Sequence, residues 1–468
     1  MNTPPLPRSV AVVGAGAAGV LASAQLISAS AAYGLALDLH LIDPAPLTGA
    51  GPAYGTPDDR HLLNVPAGRM SALPDDPDHF LRWLAPRHPA VRAGDFVPRR
   101  AYGRYLHDVL TQAARAHPAA RLHRVRDRVI RLRHQHGATA LGLASGDDVR
   151  VDAVVLALGG AAPSADWAGP ALRASPRFLA DPWAPGALDT VGASGDVLLV
   201  GTGLTMVDVA VTLGSPRRVL HAVSRHGILP QAHLAHTAPP FAPGPLDASC
   251  GLDAVRRAVR RHLAVCRRER GDWRPGLDGL RPLTAALWQQ LPAADRLRFL
   301  REDLRVWEAH RHRLAPGTAA RLHDLLAHGG LRVSAGEVVR GAPRAGGLRV
   351  RLDDGWQLDV AAVVNCTGPR ADWRRAANPL VDDLLRSGRV RPGPAGLGLD
   401  TTPDGLLIPG AGPAAPLWTL GAARRGNLLE TTAMPEIRAQ AARLASCVLA
   451  RLAPAPLRRP QDTLHTFA

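Results

Sequence analysis

Short apolar runs alternate with Ala/Leu-rich or amphipathic stretches along most of the chain. The first run, 10–13, is β-branched and leads directly into an apolar helical segment at 20–28. A second run covers 37–42, and a third, 153–158, ends in a glycine pair. Continuous apolar runs separated by helical segments are typical of buried parallel strands, so the pattern predicts an α/β fold. We expect the third strand to lie beside the first.

The opening pattern recurs in the second half of the chain. A buried strand at 196–200 is followed by a glycine turn, a helix at 204–213 and another strand at 218–223. Residues 245–325, which follow this strand, are arginine-rich, and their pattern predicts three helices, at 252–270, 280–290 and 293–311. The sequence therefore predicts two Rossmann-like domains, with a helical segment that is an insert or a cap over the cleft.

The first glycine turn has the spacing of a dinucleotide-binding fingerprint. Gly14 permits a tight turn, Gly16 permits close approach of a pyrophosphate, and Gly19 lets the helix pack directly on the strand. Asp43 ends the second strand, 24 positions beyond Gly19, where an acidic residue accepts hydrogen bonds from a ribose. An ordinary glycine-rich turn is the alternative, but the surrounding strands, helix and acid all favour a dinucleotide. The N-terminal position favours FAD.

The second glycine turn is less complete. Gly201 and Gly203 follow the strand, but Met206 occupies the third glycine position. A strand–helix unit that has lost its nucleotide is the alternative to a nicotinamide site. The next strand ends in Ser224 and Arg225, without a carboxylate for a ribose 2′-hydroxyl. An arginine at this point accommodates a 2′-phosphate, so the sequence favours NADPH over NADH.

Composition narrows the class further. A chain of 468 residues predicts two or three domains, and no apolar run is long enough for a membrane span. The formal charge of +16 comes entirely from arginine, scattered without interleaved aromatics, so nucleic-acid binding is not expected. The four cysteines form no Cys-x-x-Cys pair, and no histidine group has metal-ligand spacing. We expect a cytoplasmic protein without a metal site.

The chain resembles the FAD-NAD(P)-binding family of bacterial flavoproteins, distant relatives of class B flavin monooxygenases that include lysine and ornithine N-hydroxylases. The two glycine turns are generic. The more discriminating stretches are His61-Leu-Leu-Asn64-Val-Pro66 and Glu430-Thr-Thr-Ala-Met-Pro-Glu-Ile-Arg438. Further matching stretches are 53–55, 181–183, 224–227, Trp307 with 310–313, and 365–368.

The resemblance implies an FAD domain split into 8–185 and 360–445, with an NADP domain at 186–359 inserted between them and a tail at 446–468. It also implies that the loop around Asn64 passes near the isoalloxazine ring, and that the last helix, with Thr432 as an available cap, points at the flavin. The further cofactor-binding residues that it suggests are Tyr54, Val65, Thr367, Gly368 and Gly421.

The function implied is an NADPH-dependent monooxygenase that oxygenates a small, amine-like nucleophile through a peroxyflavin, with oxygen as co-substrate. Two departures bear on this chemistry: the Phe-x-Gly-x-x-x-His signature of class B monooxygenases is absent between Gly160 and Asp196, and Met206 replaces a glycine. An electron-transfer reductase or oxidase with a redox partner protein, or a non-catalytic flavin-binding protein, remains an alternative. The sequence names no catalytic acid or base.

Overall fold

The computed structural model describes residues 7–46, 48–135, 137–234 and 238–453. Two five-stranded parallel sheets form the centres of two domains, which confirms the predicted α/β class with two Rossmann-like units. Within the described ranges, no helix has both the length and the apolar character of a bilayer-spanning segment.

The first sheet is built from distant parts of the chain. Its strands, in spatial order, are Leu417–Thr419, Ala153–Leu156, Arg8–Val13, Leu37–Ile42 and Ala120–Val125. The strand that begins at Ala153 therefore lies beside the first strand, as predicted. Helices Ala17–Ser30, Arg99–Ala116 and Met434–Leu452 cover one face. The other face is covered by helix Pro379–Arg386 and an antiparallel sheet of Val129–Gln135, Ala138–Leu143 and Asp148–Val151.

The second sheet repeats this architecture. Its strands are Leu331–Ala335, Leu220–Ser224, Val197–Val200, Ala362–Asn365 and Phe178–Leu179. Helices Leu204–Leu213 and Pro316–Ala327 cover one face, and an antiparallel sheet of Val338–Arg344, Gly347–Leu352 and Gln357–Val360 covers the other. In both domains, apolar strands buried on both faces account for the continuous apolar runs in the sequence.

Strand pairing moves the boundary between the domains. Ala362–Asn365 pairs with Val197–Val200, so it belongs to the second sheet and not to a return segment that begins at 360. Phe178–Leu179 also joins the second sheet, although the sequence placed it before 185. The chain crosses between the domains twice, and the two crossings, Ala161–Pro163 and Pro369–Arg370, pair with each other. A four-residue apolar run carries no information about which sheet it joins.

The helical insert has more breaks than the sequence predicts. Its helices are Leu252–Arg270, Arg274–Gly279, Thr284–Gln290, Ala293–Glu302 and Leu304–Arg311. The predicted helix at 293–311 is divided at Asp303, whose carboxylate accepts hydrogen bonds from Arg256. The last helix ends at Leu452, so it includes the first residues of the predicted tail, and 454–468 lie outside the described ranges.

The remaining elements are short. The helices are Gly51–Tyr54, His79–Leu84, Pro170–Arg173 and Arg425–Leu428. The 3-10 turns are Ala31–Tyr33, Ala67–Arg69, Leu188–Thr190, Arg281–Leu283, Trp373–Arg375, Pro394–Gly396 and Gly421–Arg424.

Candidate functional site

The first glycine turn admits no side chain at two of its three glycines. Gly14 has φ of +105°, and a Cβ there would lie 2.3 Å from the carbonyl oxygen of Ala157. A Cβ on Gly19 would lie 1.8 Å from the carbonyl oxygen of Gly14. The first clash is with the neighbouring strand and the second is with the turn itself. These contacts hold the start of helix Ala17–Ser30 at the carboxyl end of the sheet.

The start of this helix has the features of an anion site. Gly16 is its N-cap, provides no side-chain cap, and no acidic residue occupies the first turn. The first amides of a helix lack intrahelical partners and carry the positive end of its dipole. Asp43 accepts hydrogen bonds from the amides of Ala15 (2.6 Å) and Ala45 (2.7 Å), so its carboxylate is fixed beside the turn. Each carboxylate oxygen keeps a lone pair for a ribose hydroxyl. The arrangement fits a dinucleotide.

The second glycine turn has nearly the same backbone. Gly201 has φ of +111°, and its Cβ would lie 2.4 Å from the carbonyl oxygen of Cys366 in the adjacent chain segment. Gly203 is an N-cap without a side-chain cap or a nearby acid. Met206 is fully buried in the second core. Met206, which replaces the third glycine, therefore lies in the core, and the start of the helix remains uncapped.

Arg305 from the insert reaches this second turn. Its guanidinium donates to the carbonyl oxygens of Thr202 (3.0 Å) and Ile228. Its Nη1 lies 3.9 Å from the position a Cβ would take on Gly203. A positive charge therefore lies where the helix start would bind a pyrophosphate. No spacing signal in the sequence connects Arg305 to a turn about 100 residues earlier, so its position could not be predicted from the sequence.

The end of the strand after the second turn has a mixed charge. The Ser224 hydroxyl shares a 2.8 Å hydrogen bond with Thr202 Oγ1, so it stabilises the turn. The Arg225 side chain is 74% exposed, and its Nε lies 3.9 Å from Oε1 of Glu337. The exposed Arg225 guanidinium is accessible to a phosphate group. The Glu337 carboxylate, which no sequence motif indicated, would compete with that phosphate for the guanidinium.

The loop containing Asn64 joins the two domains. The Asn64 carbonyl oxygen lies 3.0 Å from Nε2 of His233. His61 is buried, with Nδ1 2.7 Å from Thr56 Oγ1 and Nε2 2.9 Å from Thr212 Oγ1 on the second domain's first helix. Val65 packs on the first core. Part of the discriminating sequence 61–66 therefore forms an interface between the domains.

Protonation of His233 should weaken this interface. Burial lowers the pKa of His233 to about 4, whereas an unfolded histidine titrates near about 6.5. Between these two values the unfolded chain binds the proton and the folded protein does not, so stability falls as pH falls through this window. We expect thermal unfolding temperatures to decrease from pH 7 to 5, and the decrease to be smaller in His233→Gln. An equal decrease in both proteins would contradict this assignment.

The start of the last helix differs from the prediction at one position. Its N-cap is Ala433 without a side-chain cap, so Thr432 does not cap it and instead lies exposed one residue earlier. Gly421, with φ of +71°, donates its amide to Gln440 Oε1 at 3.0 Å and lies against Ala18 of the first helix. Helix Met434–Leu452 therefore begins with free amides near the first glycine turn.

Three other predicted site residues have clear positions. Tyr54 packs on Tyr102 with ring centres 4.9 Å apart, and burial raises its pKa. Thr367 Oγ1 donates to Asn365 Oδ1 at 2.8 Å, and Gly368 has φ of +78°. Asn365 also donates to the carbonyl oxygen of Ser164. Thr367 and Gly368 thus lie where the chain crosses back to the first domain.

A buried ionic network, absent from the sequence analysis, joins the insert to the last helix. Glu430 accepts hydrogen bonds from Trp307 Nε1 at 2.9 Å and pairs with Arg311 Nε at 3.0 Å. Both charged side chains are at most 10% exposed. Arg281 pairs with Glu436 in the first turn of the last helix. Two of the stretches that carried the family resemblance therefore contact each other.

Helix Leu304–Arg311, which we call the bridging helix, contacts both the second glycine turn and the segment that precedes the last helix. Arg305 reaches the second glycine turn. Trp307 and Arg311 reach Glu430, and Glu308 pairs with Arg425 at 2.6 Å. A displacement of this helix would therefore change the contacts at the second glycine turn and at the segment before the last helix.

The cysteines and possible metal ligands that the structure describes do not form a reactive group. Burial raises the pKa of the Cys366 thiol, which suits a packed strand residue. Among the described residues, no group of three or more His, Cys, Asp or Glu side chains has the arrangement of a metal site.

Two sheet domains, one inserted in the other and each with a free helix start at a glycine turn, form a fold with two places suited to a dinucleotide. Residues 11–161, about a third of the chain, match the family model described as FAD-NAD(P)-binding. By sequence, no curated protein matches the chain.

Solved structures share this fold over nearly the whole chain. Ornithine hydroxylase from Pseudomonas aeruginosa, in its reduced form, is 14% identical with a TM-score of 0.64, covering 96% of this chain and 100% of its own. L-lysine 6-monooxygenase from Pseudomonas syringae is 18% identical with a TM-score of 0.64, covering 95% and 99%. Ornithine N-hydroxylase from Kutzneria sp. 744 is 13% identical with a TM-score of 0.60, covering 96% and 100%. The family match and the common fold confirm the resemblance seen in the sequence.

Proposed function

We propose that this protein is an FAD-dependent, NADPH-using monooxygenase that oxygenates an amine-like nucleophile. The observation that carries the proposal is the pair of equivalent glycine turns, each with an uncapped helix start. The hydroxylases of the same fold add support, because their names describe ornithine and lysine as substrates and one structure contains reduced FAD, NADP and ornithine.

The first domain is the proposed FAD site, formed by residues 8–163 and 369–452 once the strand pairing and the length of the last helix are taken into account. Gly14, Gly16 and the first helix would hold the pyrophosphate, and Asp43 a ribose. The free amides at the start of Met434–Leu452 would stabilise negative charge on the reduced ring. Bound FAD would accept a hydride from NADPH and support transfer of one oxygen atom from O₂.

The second domain is the proposed NADPH site. Gly201, Gly203 and the helix start would meet the pyrophosphate together with Arg305, and Arg225 the 2′-phosphate. NADPH and oxygen suffice for this reaction, so the proposal requires no redox partner protein. We place the activity in the cytoplasm, where NADPH is available.

The direct test combines NADPH oxidation with product analysis. The FAD-loaded protein is mixed with NADPH, oxygen-18 gas and a panel of primary amines. The expected result is bleaching of the flavin by NADPH, followed by a hydroxylamine carrying one oxygen-18 atom. Hydrogen peroxide as the sole oxygen product with every amine would contradict the proposal, as would failure of NADPH to bleach the flavin.

Changes at Arg225 and Glu337 should have opposite effects. Arg225→Ala should weaken NADPH binding about tenfold, equivalent to loss of one phosphate contact of about 1.4 kcal/mol, with NADH use little changed. Glu337→Gln should strengthen NADPH binding because it removes the carboxylate 3.9 Å from the guanidinium. Both constants are read from flavin bleaching against cofactor concentration. Equal losses for NADPH and NADH in Arg225→Ala would exclude the 2′-phosphate role.

Arg305→Met should weaken NADPH and NADH equally, because both cofactors carry the pyrophosphate that Arg305 faces. Loss of a charge-assisted contact of about 1.5–3 kcal/mol corresponds to roughly 10- to 150-fold in affinity. Arg301→Met is the matched control, since this side chain is exposed on the preceding helix. An effect on NADPH alone would place Arg305 at the 2′-phosphate instead.

A further inference from the structure

The helical insert contains an elongated cavity of about 550 Å³ that the cofactor sites do not use. Helix Leu252–Arg270, which we call the long insert helix, forms one side of it through Val255, Val259 and Leu263. Residues four apart lie on one face of a helix, so these three side chains form a continuous apolar stripe. The volume lies in the range of small-molecule sites.

The other walls are also apolar. Trp273, Trp288 and Trp307 line the cavity from three different helical segments of the insert. Two of these indole rings are held by hydrogen bonds to residues outside the insert. Trp288 Nε1 donates to the Gly426 carbonyl oxygen at 2.7 Å, and Trp307 Nε1 donates to the Glu430 carboxylate. Their faces are therefore held rigidly for an apolar ligand.

One end of the cavity reaches the segment that leads into the last helix. Leu429 lines the cavity and packs in the same cluster as Leu252, Val255 and Trp288. Its φ of +60° and ψ of −63°, with a 2.7 Å hydrogen bond from the Glu430 amide to the Leu428 carbonyl oxygen, form a strained γ-turn. Such strain persists only where the surroundings enforce it, and it frequently marks a ligand contact. Thr432 follows three residues later.

Positive charge without a counter-charge lies farther along the long insert helix. Arg256, one turn from Leu252, is held by Asp303, a carboxylate in the cavity wall. Arg260 and Arg267 also line the cavity and are exposed, and among the described residues neither has a carboxylate within ion-pair distance. Arg267 lies 15 positions beyond Leu252, which is about 22 Å along the long insert helix. The walls are thus largely apolar throughout, and the unpaired positive charge of Arg260 and Arg267 lies in the part of the cavity farther from Leu252 and Leu429.

From this polarity we infer the substrate class: an elongated apolar amine with a carboxylate at its opposite end, held with the amine towards Leu429 and the carboxylate towards Arg260 and Arg267. The inference rests on the proposed function. The reaction would be R–NH₂ + O₂ + NADPH + H⁺ → R–NHOH + NADP⁺ + H₂O. An apolar wall with excess positive charge disfavours a compact, net cationic diamino acid such as ornithine or lysine.

Binding is tested first, by calorimetry on the FAD-loaded protein with decanoate, decylamine and L-ornithine as probes. Decanoate should bind more tightly than the other two. Val259→Trp should fill the cavity and weaken decanoate binding at least tenfold, whereas Val339→Trp, an exposed change on a distant strand, should not. Equal decanoate binding by the two variants would overturn the inference.

The role of the arginines in binding the carboxylate is tested by charge reversal on the long insert helix. The double change Arg260→Glu with Arg267→Glu should weaken decanoate about tenfold and strengthen decylamine. Arg261→Glu with Arg268→Glu makes the same charge change one position along, at exposed residues outside the cavity wall, and should leave both affinities unchanged. Equal effects of the two pairs would show a general charge effect and overturn the orientation.

Turnover links the cavity to the reaction. 10-Aminodecanoate should give a hydroxylamine with at least tenfold higher kcat/KM than L-ornithine, and Val259→Trp should remove this preference. Flavin bleaching by NADPH together with efficient ornithine hydroxylation would leave the proposed function standing and overturn the substrate class. Selective decanoate binding without flavin bleaching would support the cavity as a ligand site and refute the monooxygenase.

Light scattering completes the test, because a second copy of the chain could also cover an apolar cavity. The wild-type protein and Val259→Trp are expected to have the same mass. Dissociation of an oligomer by Val259→Trp would assign the cavity to a protein interface and overturn the inference.

Discussion

Gly14→Ala is expected to yield protein without bound flavin, whereas Gly201→Ala should keep its flavin and lose reduction by NADPH. The backbone of Gly14 has φ of +105°, and an added Cβ would lie 2.3 Å from a carbonyl oxygen of the neighbouring strand. The turn must move, which displaces the amides that would meet the pyrophosphate. A strain of about 3 kcal/mol corresponds to an affinity loss of more than a hundredfold.

The same argument applies at Gly201, where the clash is with Cys366 in the second domain. Flavin content is read from the visible absorbance of purified protein, and reduction from anaerobic titration with NADPH. Gly94→Ala is the control, since an added Cβ there meets no atom within 4 Å. Loss of flavin from Gly201→Ala, with retention in Gly14→Ala, would reverse the assignment of the two sites.

Breaking the buried pair between Arg311 and Glu430 should give the second large effect. Glu430→Gln keeps an acceptor for Trp307 but leaves the Arg311 guanidinium, 9% exposed, without its principal counter-charge. Removing one partner of a buried ion pair costs about 3–5 kcal/mol, because the other charge remains desolvated. We expect a large decrease in the urea midpoint of unfolding and easier proteolysis of the insert.

Two comparisons make this prediction specific. Asp404→Asn breaks the exposed pair with Arg443 and should cost less than about 1 kcal/mol. Arg311→Met should destabilise like Glu430→Gln, and the double variant should lose less than the sum of the two. Additive losses would show that the two side chains do not act as a pair.

The glycine turns could be predicted from sequence because their requirements are local. A strand, a residue with positive φ and a helix start lie within a dozen positions, and only glycine satisfies the backbone at Gly14. The pairing of the strand at 153–156 with the first strand followed from the usual order of such sheets.

Other features depend on contacts between distant segments. The strand Ala362–Asn365 is as apolar as the strands of the first sheet, so its sequence does not indicate that it pairs with Val197–Val200. Arg305 is one of many arginines in the insert, and only the packing of the bridging helix brings it to Thr202. Glu430 was found as part of a motif, but its partner Arg311 could not be deduced from a separation of 119 residues.

The paired crossings between the domains have a consequence for modularity. Pro163 and Pro369 are direct partners in an antiparallel pair, so the entry and exit of the second domain lie one strand spacing apart, about 5 Å. A short peptide that joins these two positions would close the first domain around its own sheet. The intervening unit thus enters and leaves the host domain at a single place, and its further attachment depends on side-chain contacts such as the Arg281–Glu436 and Arg311–Glu430 pairs.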